Sequence, residues 1–184
     1  MNITTWSRRV FIGGIVSALL LTGCAMQRPA YSPVQGEKFR SDALLVERVY
    51  VVLSFPAPHN ERIGEPLQPA FTTAFKEKGF QAAVELQVLS PLALDSGIRL
   101  HGVAAYKPNA IVIVKLSESH WGATSSYWRL HFDILDGRGK GVWRGQSTVY
   151  RLSGIEETTN HIARDLVKRL SDEAVIRRTV ERAT

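Results

Sequence analysis

The chain has 184 residues, 45% of them hydrophobic and 22% charged, with a formal charge of +6. That is ordinary globular composition, and the length argues for one domain, with or without a tail. It excludes a large multidomain enzyme and a polytopic membrane protein, and a mean hydropathy of -0.06 excludes disorder of the whole chain. The single cysteine, Cys24, excludes an intramolecular disulfide and argues against a structural zinc site built on thiolates.

Where that cysteine sits is informative. Arg8 and Arg9 precede an apolar run from Val10 to Leu21, and no acidic residue occurs before Glu37. A basic start followed by such a run is the pattern of an export signal. The run is short for a bilayer span, which needs about 20 residues. It ends in Leu21-Thr22-Gly23-Cys24, which resembles a bacterial lipobox. The resemblance implies a diacylglycerol-modified Cys24 thiol, cleavage between Gly23 and Cys24, and acylation of the new amine. Small residues before the cut let the backbone lie extended in a peptidase groove. Ser7-Arg8-Arg9-Val10-Phe11-Ile12 also resembles the twin-arginine export motif, by which domains travel already folded. The same residues fit a Sec signal with two arginines in its basic region, so both routes stay open.

Removal of residues 1–23 as the signal peptide leaves 21 basic and 17 acidic side chains, a formal +4. Acyl chains on Cys24 would then hold the chain on a membrane, at about 0.8 kcal/mol per buried CH₂. Residue +2 after the cysteine is Ala25, not Asp. By resemblance to enterobacterial lipoproteins, this sorts the chain to the outer membrane with its domain in the periplasm. Residues 24–42 hold Pro29, Pro33 and Gly36 and show no apolar period, so they read as a flexible tether. Residues 43–184 form the domain.

Glu47 to Phe55 is a nearly continuous β-branched and aromatic run, expected to be a strand buried on both faces. Glu65-Pro66 opens a helix, with Leu67, Ala70, Phe71, Ala74 and Phe75 on one face and Gly79 as its stop. Gln81 to Leu89 reads as a second strand. Ile98 to Tyr106 reads as a short helix with Leu100, Val103 and Ala104 inward. Ile111 to Leu116 is the most apolar run and is expected at the sheet centre. Tyr127 to Asp136 alternates, with Trp128, Leu130, Phe132 and Ile134 on one face and Arg129, His131 and Asp133 on the other. A glycine-rich turn at 136–141 leads to a return strand, Val142 to Leu152. From Gly154 the period is helical, with Ile162, Ala163, Leu166, Val167, Leu170 and Ala174 inward, and Val175, Ile176 and Val180 extending it. The expected order is β-α-β-(α)-β-β-β-α, an α/β (α+β) two-layer domain with a mixed sheet of about five strands.

Three stretches carry a family resemblance. They are the proline-ended strand Val51-Val52-Leu53-Ser54-Phe55-Pro56, the strand entry Lys107-Pro108-Asn109-Ala110-Ile111-Val112-Ile113, and a hairpin. The hairpin runs from Phe132-Asp133-Ile134-Leu135-Asp136 through Gly139-Lys140-Gly141-Val142-Trp143-Arg144-Gly145. Over residues 45–155 the chain resembles small outer-membrane lipoproteins with a TolB-N-terminal, CsgG or LpoB-like domain. Asn109 stands where such domains often carry Asp. The resemblance implies a non-enzymatic module in envelope assembly. A lipopolysaccharide-assembly lipoprotein of the LptE type has a comparable element order and is the alternative.

Chemistry is sparse. His59, His101, His120, His131 and His161 form no metal spacing. Ser117, Glu118, Ser119 and His120 cluster, yet no nucleophile elbow surrounds any serine, so an envelope hydrolase is a distant third reading. Gly137, Gly139 and Gly141 have a turn's spacing and no phosphate-loop ending. Arg129, His131 and Asp133 make a small polar group on one strand face. With Trp121 in the preceding loop, Arg129 and His131 are the expected interaction surface. The expectation is therefore no enzyme activity, no cofactor and no metal. Its partners would be the membrane, through Cys24, and an envelope protein, with no nucleic acid.

Overall fold

A computed structural model describes residues 31–57, 59–89, 100–121, 126–150 and 154–179 of the chain. Eight strands and three helices occur among them. They are β1 (Gln35–Lys38), β2 (Leu44–Val46), β3 (Arg48–Pro56), α1 (Glu65–Glu77), β4 (Gln81–Leu89), α2 (His101–Tyr106), β5 (Ala110–Trp121), β6 (Ser126–Asp136), β7 (Gly141–Val149), α3 (Ile155–Asp172) and β8 (Ile176–Arg178). A π-helical turn, Asn60–Gly64, leads into α1. Six strands form one mixed sheet in the order β1-β7-β6-β5-β3-β4, and β2 pairs with β8 in a separate parallel ribbon.

The expected α+β class with a mixed sheet is the one observed. β3 sits between two parallel neighbours, β4 and β5, which is why its sequence is apolar on both faces. From β5 onward the ladder is antiparallel through β6, β7 and β1. The crossover from β3 through α1 places Leu67, Phe71 and Phe75 against one sheet face, and α3 adds Ile162, Leu166 and Leu170. Each such side chain contributes roughly 1.5–3 kcal/mol by leaving water. The two helices lie side by side, joined at the surface by Arg164 and Glu77 at 2.7 Å. On the opposite face Tyr50, Val52, Ile111 and Ile113 are also buried. There Tyr106 of α2 tilts against Tyr50 at 5.7 Å, and a side chain at Gly102 would meet the Tyr50 hydroxyl.

The family-like stretches have structural jobs. The Asn109 side chain accepts the N–H groups of Glu47 and Arg48, both at 3.0 Å, and so locks the start of β5 to the start of β3. Asp136 accepts the N–H groups of Arg138 and Lys140 across the β6–β7 turn, and Gly139 supplies the positive φ of +82 there. Trp143 is fully buried, and its ring fills the space above Gly36 and Gly145, where a Cβ would overlap it.

Four expectations need correction. The tether read at 24–42 is not free over its second half: β1 adds a sixth strand at the β7 edge, and Tyr31 bridges Val149. The reason is Trp143, whose ring is buried under this strand, with glycine at position 36 leaving room for it. In α2, Ala104 is exposed and Gly102 faces the sheet instead. β5 runs on past Leu116 to Trp121 through an irregularity between Leu116 and Glu118. α3 stops at Asp172, and Val175 and Ile176 lie beyond it, with Ile176 opening β8. Ala174 there adopts φ +50, so the chain turns without a glycine to announce it. Val180 and Leu152 lie outside the described residues.

Candidate binding face

The sheet face away from α1 and α3 collects most of the polar side chains that the sequence singled out. Strand register sets one line of six polar residues across all six strands: Gln87, Ser54, Lys115, His131, Gln146 and Gln35. The neighbouring line holds Glu85, Asp133, Arg144 and Glu37. His131 is thus flanked by Lys115 on β5 and Gln146 on β7.

Asp133 organises the centre. Lys115 Nζ donates to its Oδ2 at 2.7 Å, and Arg144 Nε donates to its Oδ1 at 2.6 Å. The residue is only 8% exposed. Burial by itself pushes the carboxyl pKa up; the hydrogen bonds and charges of Lys115 and Arg144 outweigh it and hold the pKa below the usual range. With both oxygens taken, the carboxylate serves to fix two cations in place, not as a free base. Arg144, His131, Gln146, Gln35 and Glu37 then line a shallow cavity of about 270 Å³ on the β1 side.

The rest of the face is similarly tied. The Tyr50 hydroxyl donates to Glu85, whose other oxygen accepts Gln87 Nε2 at 2.9 Å. Burial first, then the hydrogen bond and charge of Glu85, push the Tyr50 phenol up to about 12. Ser54 is 1% exposed, and its hydroxyl has no partner among the described residues. An unpaired buried hydroxyl costs on the order of 1–3 kcal/mol. Toward the β5–β6 hairpin tip, Arg129 pairs with Glu118 and lies over the Tyr127 ring, 5.9 Å from its centroid. His120 stacks on the other side of the pairing, 5.5 Å from Tyr127.

Arg129 and His131 are therefore on one face, as alternation predicts, and the structure adds Lys115 and Arg144 to their group with Asp133. Trp121 is not in a loop: it ends β5, opposite Ser126, at the rim. Trp128 is core, 2% exposed. Gly23, Cys24, Arg8 and Arg9 lie outside the described residues. Lys115 and Arg144 carried a usable signal, each being a charge within an otherwise strand-like run. What joins them to Asp133 is register, which a single sequence does not display.

At the same end as the tip, a second cavity of about 330 Å³ is lined by Glu61, Arg62, Pro66, Trp128 and Ile155. His59 lies beside it, edge-on to Trp128 at 6.0 Å. Burial, then the charge of Arg62, lowers its pKa, so its imidazole stays neutral at neutral pH. Among the described residues no group of three or more His, Cys, Asp or Glu is placed to hold a metal ion, and no helix is long and apolar enough to cross a membrane.

No family model matches the sequence, and no curated protein does. Solved structures of PelC share the fold. A PelC variant from Paraburkholderia phytofirmans, described as a dodecamer, is 14% identical with a TM-score of 0.52, over 77% of this chain and 98% of that one. A second PelC dodecamer from the same organism gives 13% and 0.51, over 80% and 99%. A lipoprotein from Neisseria meningitidis, GNA1162, is 13% identical with a TM-score of 0.37, over 68% of this chain and 98% of that one. Identities this low speak for fold alone.

Proposed function

We propose that this chain is a lipid-anchored lipoprotein on the periplasmic face of the outer membrane. In this reading its domain is a non-enzymatic binding or assembly module of the cell envelope. The observation that carries the reading is the coincidence of Leu21-Thr22-Gly23-Cys24 with a basic, apolar leader. The position of Tyr31 supports it. Tyr31 docks on Val149 and stacks on His161, and six residues, 25–30, stand between the acylated cysteine and Tyr31. Fully extended they reach about 25 Å, which keeps the domain against the membrane surface.

The module reading draws on three features. The likeness to TolB-N-terminal, CsgG and LpoB-like domains points to envelope assembly. PelC, whose fold this chain shares, is described as a dodecamer, which favours assembly by analogy of fold. The central carboxylate of the polar face is saturated by two cations, an arrangement suited to recognition. Trp121, Arg129 and His131 are the surface we assign to an envelope protein partner.

The test is metabolic labelling of cells with palmitate, followed by membrane fractionation. The parent chain takes up label and follows the outer membrane. Cys24→Ser takes up none and is released or retained as precursor. Equal labelling of the two chains would sink the anchor and the reading with it.

A further inference from the structure

We infer that the shallow cavity on β6, β7 and β1 takes the C-terminal end of a protein chain, its carboxylate on Arg144 and its last peptide group beside Glu37 and the glutamines. This rests on the binding half of the reading above and names what the polar face recognises. It does not depend on the lipid anchor.

Strand register builds the cavity from two rows of side chains. One row is His131, Gln146 and Gln35; the other brings Arg144 and Glu37 face to face on β7 and β1. Gly145 and Gly36, paired with each other, lie between the rows. The rows are about 7 Å apart and the strands about 5 Å. His131 is half-buried, whereas Gln35, Glu37, Arg144 and Gln146 are exposed. The cavity volume of about 270 Å³ lies just below the roughly 300 Å³ at which pockets for whole small molecules begin. It suits the end of a chain.

The walls select the occupant. Arg144 gives its Nε to Asp133, which fixes the side chain and leaves the four N–H bonds of its two Nη groups, a fork that fits a carboxylate. Lys115, Asp133 and Arg144 together carry one net positive charge, enough to attract one carboxylate. Glu37 faces Arg144 yet forms no ion pair among the described residues, and the side chains of His131, Gln146 and Gln35 make no hydrogen bond there. Glu37 therefore repels a second negative charge and calls for a donor, so a phosphate dianion fits poorly. The last residue of a protein chain brings one carboxylate and, one carbon away, an N–H. That short spacing matches two groups facing each other across one strand pair. The two glutamine amides, each a donor and an acceptor, suit the peptide group that follows. The residues lining the cavity include no tryptophan, tyrosine or phenylalanine, so a sugar ring finds no such face to stack on.

The test titrates the isotope-labelled full chain in detergent with N-acetyl-L-alanyl-L-alanine, followed by NMR. The amide signals of Gly36 and Gly145 and the ring signals of His131 should move together and saturate. The same peptide with its C-terminus amidated, which lacks the carboxylate, should bind about tenfold more weakly. Arg144→Gln should weaken binding of the acid about tenfold and leave that of the amide unchanged. If Arg144→Gln fails to fold, Gln146→Ala decides: its side chain has no partner among the described residues to lose, and its loss should weaken the acid severalfold. Equal affinity for acid and amide overturns the proposal, as do shifts that spare both glycines or an Arg144→Gln chain that binds the acid like the parent. Tighter binding of inorganic phosphate or of glucose than of the peptide overturns it too. Palmitate labelling reads the anchor separately, so a labelled chain that ignores the peptide loses this inference alone.

Discussion

At the scale of single residues, Asp133 is where energetics and the polar face meet. Its carboxylate is nearly buried, yet its partners are not: the side chains of Lys115 and Arg144 are 40% and 62% exposed. Solvent screening on the cation side therefore discounts the pair, and we expect Asp133→Asn to cost about 1–2 kcal/mol at neutral pH. The sign of the pH dependence follows from the depressed pKa. An aspartate near 3.9 in the unfolded chain that titrates lower in the fold contributes stability in full above about pH 4. That contribution is lost as pH falls through the folded value. Thermal melts of both chains at pH 7 and near pH 3 should show a gap that closes in acid. A gap that is constant, or that widens in acid, would mean that Asp133 acts by shape and not by charge.

At the scale of elements, the end of α3 shows what a sequence displays and what it hides. The apolar stripe Ile162, Ala163, Leu166, Val167 and Leu170 is legible from its period, and all five residues are buried. Likewise the alternation of β6 separates Trp128, Leu130, Phe132 and Ile134 from Arg129, His131 and Asp133. The stop of α3 is hidden because its left-handed residue is Ala174, not glycine. Val175 N–H donates to Leu170 O at 2.8 Å and Ala174 N–H to Ser171 O at 3.1 Å, the paired bonds of a Schellman ending. Lys38 Nζ adds a bond to Ala174 O at 2.8 Å. An L-residue in this conformation costs about 1–2 kcal/mol, while glycine costs roughly 0.5–1 kcal/mol in unfolded-chain entropy. Ala174→Gly should therefore stabilise the domain by about 0.5–1 kcal/mol, read as a higher urea midpoint with an unchanged slope. A lower midpoint would show that the αL turn is not strained. The order of the segment before residue 40 is hidden for a related reason. Residues 31–39 lack a period of their own, and their order comes from what lies beneath them: Trp143, Val149 and Asp165, all distant in sequence.

At the scale of the whole molecule, the domain boundary becomes a quantitative question. Sequence composition puts it at residue 43; in the structure Tyr31 already packs on Val149 and His161. Between them lie Val34, 1% exposed, and Gly36, which lets the chain run over the Trp143 ring. Ser32 exchanges hydrogen bonds with Ser147 and Thr148. Lys38 also ties this segment to the C-terminal end of α3. Removing the segment would strip one edge of the sheet, open the Trp143 indole to water and leave Asp165 without the Val34 N–H. Uncovering one valine and part of one tryptophan alone amounts to about 3 kcal/mol. For a domain of this size that lowers Tm by about 6–12 °C. A chain beginning at residue 31 should melt with the parent, whereas one beginning at residue 43 should melt lower and show red-shifted tryptophan fluorescence. Equal melting of the two shortened chains would restore 24–42 as a plain tether. It would also remove the reason for holding the domain within about 25 Å of its anchor, because the free segment would then be three times as long.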